Sequence, residues 1–553
     1  MFALKVKFRC SDELNVEHKY NGFKTTFEGK ELDVYLGIPF AEPPIGDLRF
    51  RKPKPYKWDG QVIDAKTWPN NCIEVALMPN NSEWFRQNSD VWSEDCLYLN
   101  IWSPQRKSSY TQRPVLVWIH GGGLIAGSST HELSNGEALA ALGDVVVVSI
   151  QYRLHALGFL YSGTDEAPGN VGLWDQAMAL QWIQDNIAHF GGDPNQVTIF
   201  GCSAGGWSVS LHVLSPISRG LFRNGIVMSG AGIVHQTGQS PQQSLQNWLK
   251  VAKAAKCGDG KQFTDKDMEC LRQIPAQELA QSYSQPEMTS DWMGIMAIVT
   301  YGDQFLPERP LDMLEKKNFK KDMSLLATTC EDEGGLFLPR HVNIEYFIPH
   351  SEIKLSKEEA IEILKNISKQ IKSAIPVNVE AGARLYMSSL PSHDSELLLR
   401  TIGIAMGDFL LVCPTKQFAK AVFSDGETNN KVYEYHYTSA AKPTPGKHYC
   451  SKWMGACHCM DNIMQFGYPI RHPEGYSDQD IALSRRMIDS LAYFAKHNEL
   501  PPQEGIEWQS YYTLNGDVVR PHYEWAIAPN AGLFKNALKE TECKFWKYYI
   551  DRQ

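Results

Sequence analysis

The stretch "VTIFGCSAGGWSVS" at residues 197–210 decides how the chain is organised. It opens with an apolar run rich in β-branched residues, which is typical of a buried strand, and it closes in a segment typical of a helix start. Between them, "GCSAG" at 201–205 fits the G-x-S-x-G pattern, in which a sharp turn lifts a serine off a strand end. Glycine is needed because the turn brings two backbone segments too close together for side chains. The pattern predicts an α/β fold with Ser203 beside a helix N-terminus, whereas the alternative is a surface loop with a chance serine.

Similar apolar runs alternate with helical patterns from about residue 114 onward. The predicted strands are 114–120, 144–150, 196–200, 224–229, 323–328 and 431–437. Between the second and third, apolar residues recur at three- and four-residue steps from Trp174 to Ile187, which predicts a helix that glycines at 191 and 192 then end. Fully apolar strands separated by helices predict a mostly parallel sheet covered on both faces. We expect one domain over residues 1–553, with an amphipathic helix near 357–373 as part of an insertion over the sheet.

Composition excludes several classes of protein. The 553 residues are 43% hydrophobic and 21% charged, which is typical of a soluble globular chain with an ample core. The net charge of −9 is mild and no basic run clusters with aromatic residues, so no nucleic-acid partner is expected. No uninterrupted apolar run approaches the 18 or so residues of a membrane helix, so no transmembrane segment is expected. The oligomeric state cannot be derived from these features.

The N-terminus, "MFALKVKFRC", lacks the apolar core and cleavage site of a secretory signal. Twelve cysteines permit disulfides without proving them, because spacing alone does not determine how cysteines pair. Two sequons make Asn80 and Asn366 candidate glycosylation sites.

A serine on such a turn becomes a nucleophile only with two further parts. These are backbone donors for a developing oxyanion and a histidine oriented by a carboxylate, in the chain order serine, acid, histidine. "IHGGGL" at 119–124 follows the first strong strand, and its bare backbone can approach a substrate carbonyl. We expect the N–H groups of Gly122 and Gly123, with that of Ala204, to form the oxyanion hole. A flexible glycine turn would be the alternative for this loop.

Candidates for the acid and the base lie further along the chain. "TTCEDEGGLF" at 328–337 follows a strand end and offers Glu331, Asp332 and Glu333, among which the local sequence does not choose. Of the 16 histidines, His458 lies far downstream in an apolar, glycine-containing loop, which suits a base. Most histidines are nevertheless surface residues or core residues with satisfied hydrogen bonds.

Eight motifs occur in order across nearly the whole chain. They are "YLGIPFAEPPIGDLRFRKP" (35–53), "SEDCLYLNIW" (93–102), "HGGG" (120–123), "GCSAGG" (201–206), "LFRNGIVMSG" (221–230), "DEG" (332–334), "WMGACH" (453–458) and "CKFW" (543–546). With this series the chain resembles the type B carboxylesterases, the family that includes the cholinesterases. The resemblance implies an α/β-hydrolase fold, in which inserted segments form a gorge above Ser203. It also implies hydrolysis of small-molecule carboxylic esters through an acyl-enzyme, with no metal and no organic cofactor.

The resemblance also assigns roles to individual residues. Ser203 matches the nucleophile, Glu333 the acid and His458 the base, while Ser229 and Asp461 match a pair behind the histidine that helps to orient it. The implied disulfides are Cys72–Cys96, Cys257–Cys270 and Cys413–Cys543, and the implied structural ion pairs are Arg49–Glu94 and Arg153–Asp175. Six disulfide cysteines favour the secretory pathway or the extracellular space, with an incomplete N-terminus. The missing signal leaves a cytoplasmic location as the alternative.

Departures from the family pattern bear on the substrate. Most members have a glutamate directly before the nucleophile, whereas this chain has Cys202, and His120 is similar to general carboxylesterases rather than cholinesterases. We therefore expect uncharged esters as substrates. Choline esters are the alternative, since Trp84 or Phe85 falls close to the aromatic residue that stacks on choline. A different functional class is also possible, since the family includes adhesion or binding proteins without catalytic activity. Such a protein should have lost the nucleophile, the acid or the histidine, and this chain has lost none of them.

The remaining cysteines are 10, 202, 330, 450, 457 and 459, and four of them lie close in sequence to Ser203, Glu333 or His458. Our hypothesis is that Cys202 carries a free thiol at the gorge floor, which makes the pocket neutral and open to thiol reagents. The alternative is that these cysteines are small apolar fillers. A metal site is disfavoured because zinc would occupy the histidine that catalysis requires.

Overall fold

The computed structural model describes most of the chain. The described residues are 2–7, 17–75, 87–105, 112–233, 238–283, 299–347, 351–371, 375–423, 428–440, 450–503, 505–525 and 533–551. Asn80, Cys10, Trp84 and Phe85 lie outside them, as do residues 284–298, so the predicted gorge walls stay a prediction.

The strands run through the whole length of the chain. They are β1 Phe2–Lys7, β2 Glu17–Phe27, β3 Lys30–Pro39, β4 Ile63–Asp64, β5 Asn71–Cys72, β6 Trp92–Ser93, β7 Tyr98–Pro104, β8 Arg113–Ile119, β9 Val146–Ile150, β10 Gly192–Cys202, β11 Asn224–Met228, β12 Gly238–Gln239, β13 Val299–Thr300, β14 Ser324–Cys330, β15 Lys431–Tyr437, β16 Tyr512–Leu514, β17 Asp517–Val519, β18 Pro521–Trp525 and β19 Leu533–Asn536.

In the described residues the α-helices lie between β8 and β16, except the last, which follows β19. They are α1 Glu137–Gly143, α2 His155–Phe159, α3 Val171–Asn186, α4 Ala204–Leu214, α5 Pro241–Ala254, α6 Asp265–Gln273, α7 Ala276–Tyr283, α8 Pro310–Glu315, α9 Lys357–Lys369, α10 Val379–Met387, α11 Ser395–Gly407, α12 Cys413–Val422, α13 Met460–Gln465, α14 Tyr468–Arg471, α15 Asp478–His497 and α16 Glu540–Ile550. Short 3-10 helices and one π-helical turn, Asp408–Val412, lie among them.

One large sheet organises the described residues. Its strand order is β1-β2-β3-β7-β9-β8-β10-β11-β14-β15-β18-β19, with β4 paired to β2. From β9 to β18 every neighbouring pair is parallel, whereas the pairs toward both edges are antiparallel. This mostly parallel sheet has the α/β-hydrolase architecture that the sequence predicts.

The central strands are buried on both faces, and this explains their composition. Every residue of β8, β9, β11 and β14 is buried. Since alternate side chains of a strand point to opposite faces, a fully buried strand must be covered on both sides. Helices provide this cover, for example α4 against β10 and β11, and α15 against β8 and β10.

The predicted elements match the structure within a few residues. The predicted helix from Trp174 to Ile187 is α3, and it ends in a 3-10 turn before Gly191, whose φ of 90° suits glycine. The predicted segment 357–373 is α9, which packs on α10 and α11. The antiparallel edge strands β1 to β3 and β19 were not predicted, because their sequences alternate polar and apolar residues too weakly.

Covalent and ionic links join distant parts of the sheet and its helices. Disulfides join Cys72 to Cys96, Cys257 to Cys270 and Cys413 to Cys543, which are the pairs that the resemblance implied. The guanidinium of Arg153 pairs with buried Asp175 at 2.7 Å, and Nε of Arg49 donates to Glu94 at 2.6 Å.

Among the described residues, one continuous helical run is long and apolar enough to cross a membrane. It spans Ser395–Val422, through α11, the π-helical turn and α12, with a mean hydropathy of 1.7 in its most apolar window. Within the fold 83% of that window is buried, so its apolar side chains pack against the rest of the protein, as in a core helix.

Candidate active site

The candidate residues meet at one edge of the sheet. The glycine loop follows the end of β8, Ser203 follows β10, and Glu333 comes three residues after the last residue of β14. These strands are parallel and nearly adjacent, so their carboxyl ends lie side by side, which is where sheets of this kind hold their ligands. His458 reaches the same edge from the loop between β15 and α13.

The turn at Ser203 is strained, as a nucleophile elbow requires. Ser203 has φ 60° and ψ −124°, a conformation that costs a non-glycine residue about 1 kcal/mol or more. Its N–H donates to the carbonyl of Met228 at 2.9 Å, which fastens the turn to β11. A Cβ at Gly205 would collide with the carbonyl oxygen of Ile119, and one at Gly201 would lie 2.6 Å from the carbonyl carbon of Gly205. The glycines are therefore required by close backbone approach.

The predicted oxyanion loop packs directly on this turn. A Cβ at Gly121 would lie 3.2 Å from Cβ of Ser203, and Gly122 and Gly123 both adopt positive φ, at 106° and 64°. Ala204 is the first residue of α4, so its N–H has no acceptor within the helix. The structure thus places Gly121, the neighbour of Gly122, against Ser203, and the roles of the three donors stay a prediction.

Two buried groups support the oxyanion loop. Glu74 accepts a hydrogen bond from the N–H of Gly127 at 2.8 Å, and burial raises the pKa of this carboxyl. His120 stacks on Tyr152 with ring centroids 4.3 Å apart, and burial lowers its pKa to about 4. His120 is therefore neutral at pH 7 and serves as packing beside the loop.

Glu333 and His458 form a buried pair. Oε2 of Glu333 lies 2.6 Å from Nδ1 of His458, while Oε1 accepts from the N–H of Cys330 at 2.7 Å. Both residues are almost fully buried, at 1% and 4% exposure. Gly407 on α11 leaves room for the acid, since a Cβ there would lie 2.7 Å from Cβ of Glu333.

This pair orients the imidazole. With Nδ1–H directed at a carboxylate, Nε2 keeps its lone pair and can accept a proton. Nε2 of His458 is buried and has no hydrogen-bond partner within the described part of the chain. An imidazole nitrogen with a free lone pair, close to the strand end that carries Ser203, is suited to general-base chemistry.

The two other acids of "EDEG" have different partners. Asp332 accepts from Arg400 at 2.7 Å and from the N–H of Ala456 at 2.9 Å, and burial raises its pKa to about 6. Glu331 is more exposed and pairs with the same arginine at 3.0 Å. Asp332 therefore anchors the segment leading to His458, whereas Glu333 contacts the imidazole itself.

The hypothesis of a free thiol at Cys202 is wrong. Cys202 is bonded to Cys459, and a further disulfide joins Cys450 to Cys457, so four of the supposed fillers are paired. Cys330 is the free cysteine among the described residues, and it is buried. The sequence could not reveal these bonds, because the spacing of cysteines does not determine their pairing, and residues 202 and 459 are 257 positions apart.

These bonds also bear on metal binding. The sulfurs of Cys202 and Cys459 and a ring nitrogen of His458 lie within 4.8 Å of one another, a spacing that could suit a metal ion. The two sulfurs are bonded to each other, however, and only a thiolate is a strong metal ligand. The donor set as it stands does not fit a metal.

Asp461 lies behind the acid among buried hydroxyl groups, and the orienting role that the resemblance implies for Asp461 and Ser229 stays a prediction. Its carboxylate accepts from the hydroxyls of Tyr435 at 2.7 Å and Thr328 at 3.3 Å, whereas the buried hydroxyl of Ser229 has no partner within the described chain. Burial, with the nearby charge of Glu333, raises the pKa of Asp461 to about 6. Tyr435 and Thr328 face each other in the β14–β15 register, a neighbourhood that sequence inspection missed.

Comparisons with known proteins all identify similarity to esterases of one family. A profile of the family described as "Carboxylesterase family" matches residues 18–546. An "Acetylcholinesterase" of Leptinotarsa decemlineata is 34% identical over 96% of this chain and 84% of that relative. An "Acetylcholinesterase-1" of Trittame loki is 31% identical over 96% of this chain and 93% of that relative. A "Cholinesterase" of Mus musculus is 31% identical over 97% of this chain and 86% of that relative.

Proposed function

Because this chain belongs to the carboxylesterase family, a family of carboxylic ester hydrolases, we propose that it hydrolyses esters through a triad of Ser203, His458 and Glu333. One observation carries the proposal. Nδ1 of His458 lies 2.6 Å from a buried carboxylate, which leaves Nε2 as a base at the edge of the sheet where the strained Ser203 lies. A catalytically silent member would have no use for this arrangement.

In the proposed first step, Nε2 of His458 accepts the proton of Ser203 as Oγ attacks the ester carbonyl. Glu333 holds the imidazole in the tautomer that this transfer needs and stabilises the cation that results. The N–H groups of Gly122, Gly123 and Ala204 bind the oxyanion, and losing one such donor typically lowers the rate by about 10²–10³.

The second half of the reaction repeats this chemistry with water. The alcohol leaves with the proton from His458, and the acyl group stays on Ser203 as an ester. His458 then activates a water molecule, which attacks the acyl-enzyme and releases the acid. None of these steps calls for a metal or an organic cofactor.

We propose that the substrates are uncharged esters. The position before the nucleophile carries no charge, because Cys202 is held in a disulfide and is fully buried. A carboxylate at that position would favour a cationic substrate, and none is there. Hydrolysis of choline esters is the second candidate, and the names of the similar relatives favour it.

We also propose that the protein matures in an oxidising compartment. The disulfides in the described part of the chain support this, since such bonds are rare in the cytosol. The side chain of Asn366 is exposed on α9, so it stays a proposed glycosylation site.

The test is made on protein secreted into an oxidising medium. We expect Ser203→Ala to abolish turnover of p-nitrophenyl acetate and covalent capture of an organophosphate, while Ser392→Ala, an exposed position, leaves both unchanged. Near wild-type turnover by Ser203→Ala would refute the nucleophile. Intact wild-type protein that neither turns over an ester nor reacts with the organophosphate would support the silent alternative.

Initial rates then separate the two substrate classes. A higher kcat/KM on p-nitrophenyl acetate than on acetylthiocholine supports uncharged esters, and the reverse order supports the cholinesterase alternative.

A further inference from the structure

The Cys202–Cys459 disulfide joins the immediate neighbours of two proposed catalytic residues. Cys202 precedes Ser203, and Cys459 follows His458. The bond therefore runs from the nucleophile elbow to the loop that carries the base, two segments 257 positions apart in sequence. None of the other disulfides in the described residues connects two catalytic segments in this way.

The backbone is strained at both ends of the bond: at Ser203, the residue after Cys202, and at Cys459 itself. Ser203 has φ 60°, and Cys459 itself has φ 61°, a left-handed conformation that favours glycine. A residue other than glycine keeps such a conformation only where its surroundings impose it. At position 459 the side chain is covalently tied to β10, which supplies that constraint.

Other contacts also hold the loop around His458, but they connect it only to itself and to the segment that carries Glu333. Cys457 is bonded to Cys450, only seven positions away, and Ala456 is held by Asp332. Glu333 orients the ring through Nδ1. These contacts fix the histidine relative to the acid, whereas the bond from Cys459 fixes it relative to the nucleophile.

We propose that Cys202 and Cys459 are positioning residues, whose disulfide holds Ser203 and His458 at the separation that proton transfer requires. This inference rests on the proposed function of the triad. Misplacement of a catalytic group by about 1 Å can lower a rate about 10²-fold, so a single covalent link here has a large effect on kcat. Loss of the link leaves position 202 uncharged, so KM should change little.

The test variant is Cys202→Ala with Cys459→Gly. Glycine accepts the positive φ at 459 without strain, so this variant removes the link while keeping the backbone conformation accessible. The matched control is Cys413→Ser with Cys543→Ser. It also removes a bond that closes a long loop, of 130 positions, but neither cysteine belongs to the elbow or to the histidine loop. The two double variants should lower the thermal midpoint by similar amounts.

We expect the test variant to lose roughly 10- to 100-fold in kcat on p-nitrophenyl acetate, with KM within about threefold of wild type. Its rate of organophosphate capture should fall by the same factor, because that reaction also needs Ser203 activated by His458. The control should keep both rates. A test variant with kcat within threefold of wild type overturns the proposal, as does a control that loses as much kcat as the test variant.

Peptide mapping and reduction keep the proposal testable if the variant fails to fold. Secreted wild-type protein with free thiols at 202 and 459 would overturn the proposal. Dithiothreitol cleaves the bond to two thiols and becomes a cyclic disulfide, and the assay contains EDTA because the freed sulfurs and His458 could then bind zinc. Activity should fall as the 202–459 link is cleaved and return on reoxidation, whereas full activity after its cleavage would overturn the proposal.

The two proposals fail in different ways. Active Ser203→Ala protein would refute the triad itself. Inactive Ser203→Ala together with a fully active disulfide variant would refute only the positioning role.

Discussion

At the scale of single residues, two neighbouring carboxylates have different tasks. Glu333 contacts Nδ1 of His458, whereas Asp332 pairs with Arg400 and holds Ala456. We expect Glu333→Gln to lower kcat by about 10³–10⁴, because an amide cannot stabilise the imidazolium or impose the right tautomer. Asp332→Asn should lower the midpoint of thermal unfolding, since it weakens the ion pair, and leave kcat within about tenfold. Steady-state kinetics gives kcat for both variants, and thermal unfolding gives their midpoints. A larger loss of kcat in Asp332→Asn than in Glu333→Gln would show that Asp332 is the acid of the triad.

At the scale of elements, the strand-turn-helix unit of β10 and α4 depends on close backbone packing. A methyl group at Gly205 would meet the carbonyl oxygen of Ile119, so Gly205→Ala must push α4 away from β8. We expect a loss of about 1–3 kcal/mol in the free energy of unfolding, with a fall in kcat because Ser203 and the Ala204 N–H move with the helix. Gly220→Ala is the control, since nothing lies within 4 Å of a Cβ there, and it should change neither quantity appreciably. Denaturant unfolding and kinetics on both variants provide the comparison, and wild-type behaviour of Gly205→Ala would contradict it.

At the scale of the whole molecule, a disulfide stabilises more when it encloses a longer loop, with a gain that grows as the logarithm of loop length. The bond Cys413–Cys543 ties α12 to α16 and closes 130 positions, whereas Cys257–Cys270 closes 13. Loop entropy predicts that removing the first pair by serine substitution costs about 5 kcal/mol and removing the second about 3 kcal/mol. Denaturant unfolding should therefore separate the two double variants by about 2 kcal/mol. Equal losses would show that local packing, rather than loop length, sets the contribution of these bonds.

Sequence inspection predicted the central sheet because its signals are local. Strands such as β9 and β14 are short, wholly apolar runs, and α3 carries an apolar repeat that ends at glycine. It also predicted Ser203, since a serine between two glycines at a strand end has a steric reason to be there. The edge strands were missed because their sequences carry neither a continuous apolar run nor a clear alternation of polar and apolar residues.

The sequence by itself determined the central strands and the helix between β9 and β10, the elbow serine and the glycine loop, all of which follow from short-range sterics and the hydrophobic period. It could not distinguish Glu333 from Asp332 by local pattern, because both are carboxylates and only the tertiary structure directs one of them to the imidazole. Nor could it show that Cys202 meets Cys459, or that Asp461 accepts a hydrogen bond from Tyr435. Those pairings depend on how β10, β15 and the histidine loop pack, and packing between distant segments is decided only when the whole sheet forms.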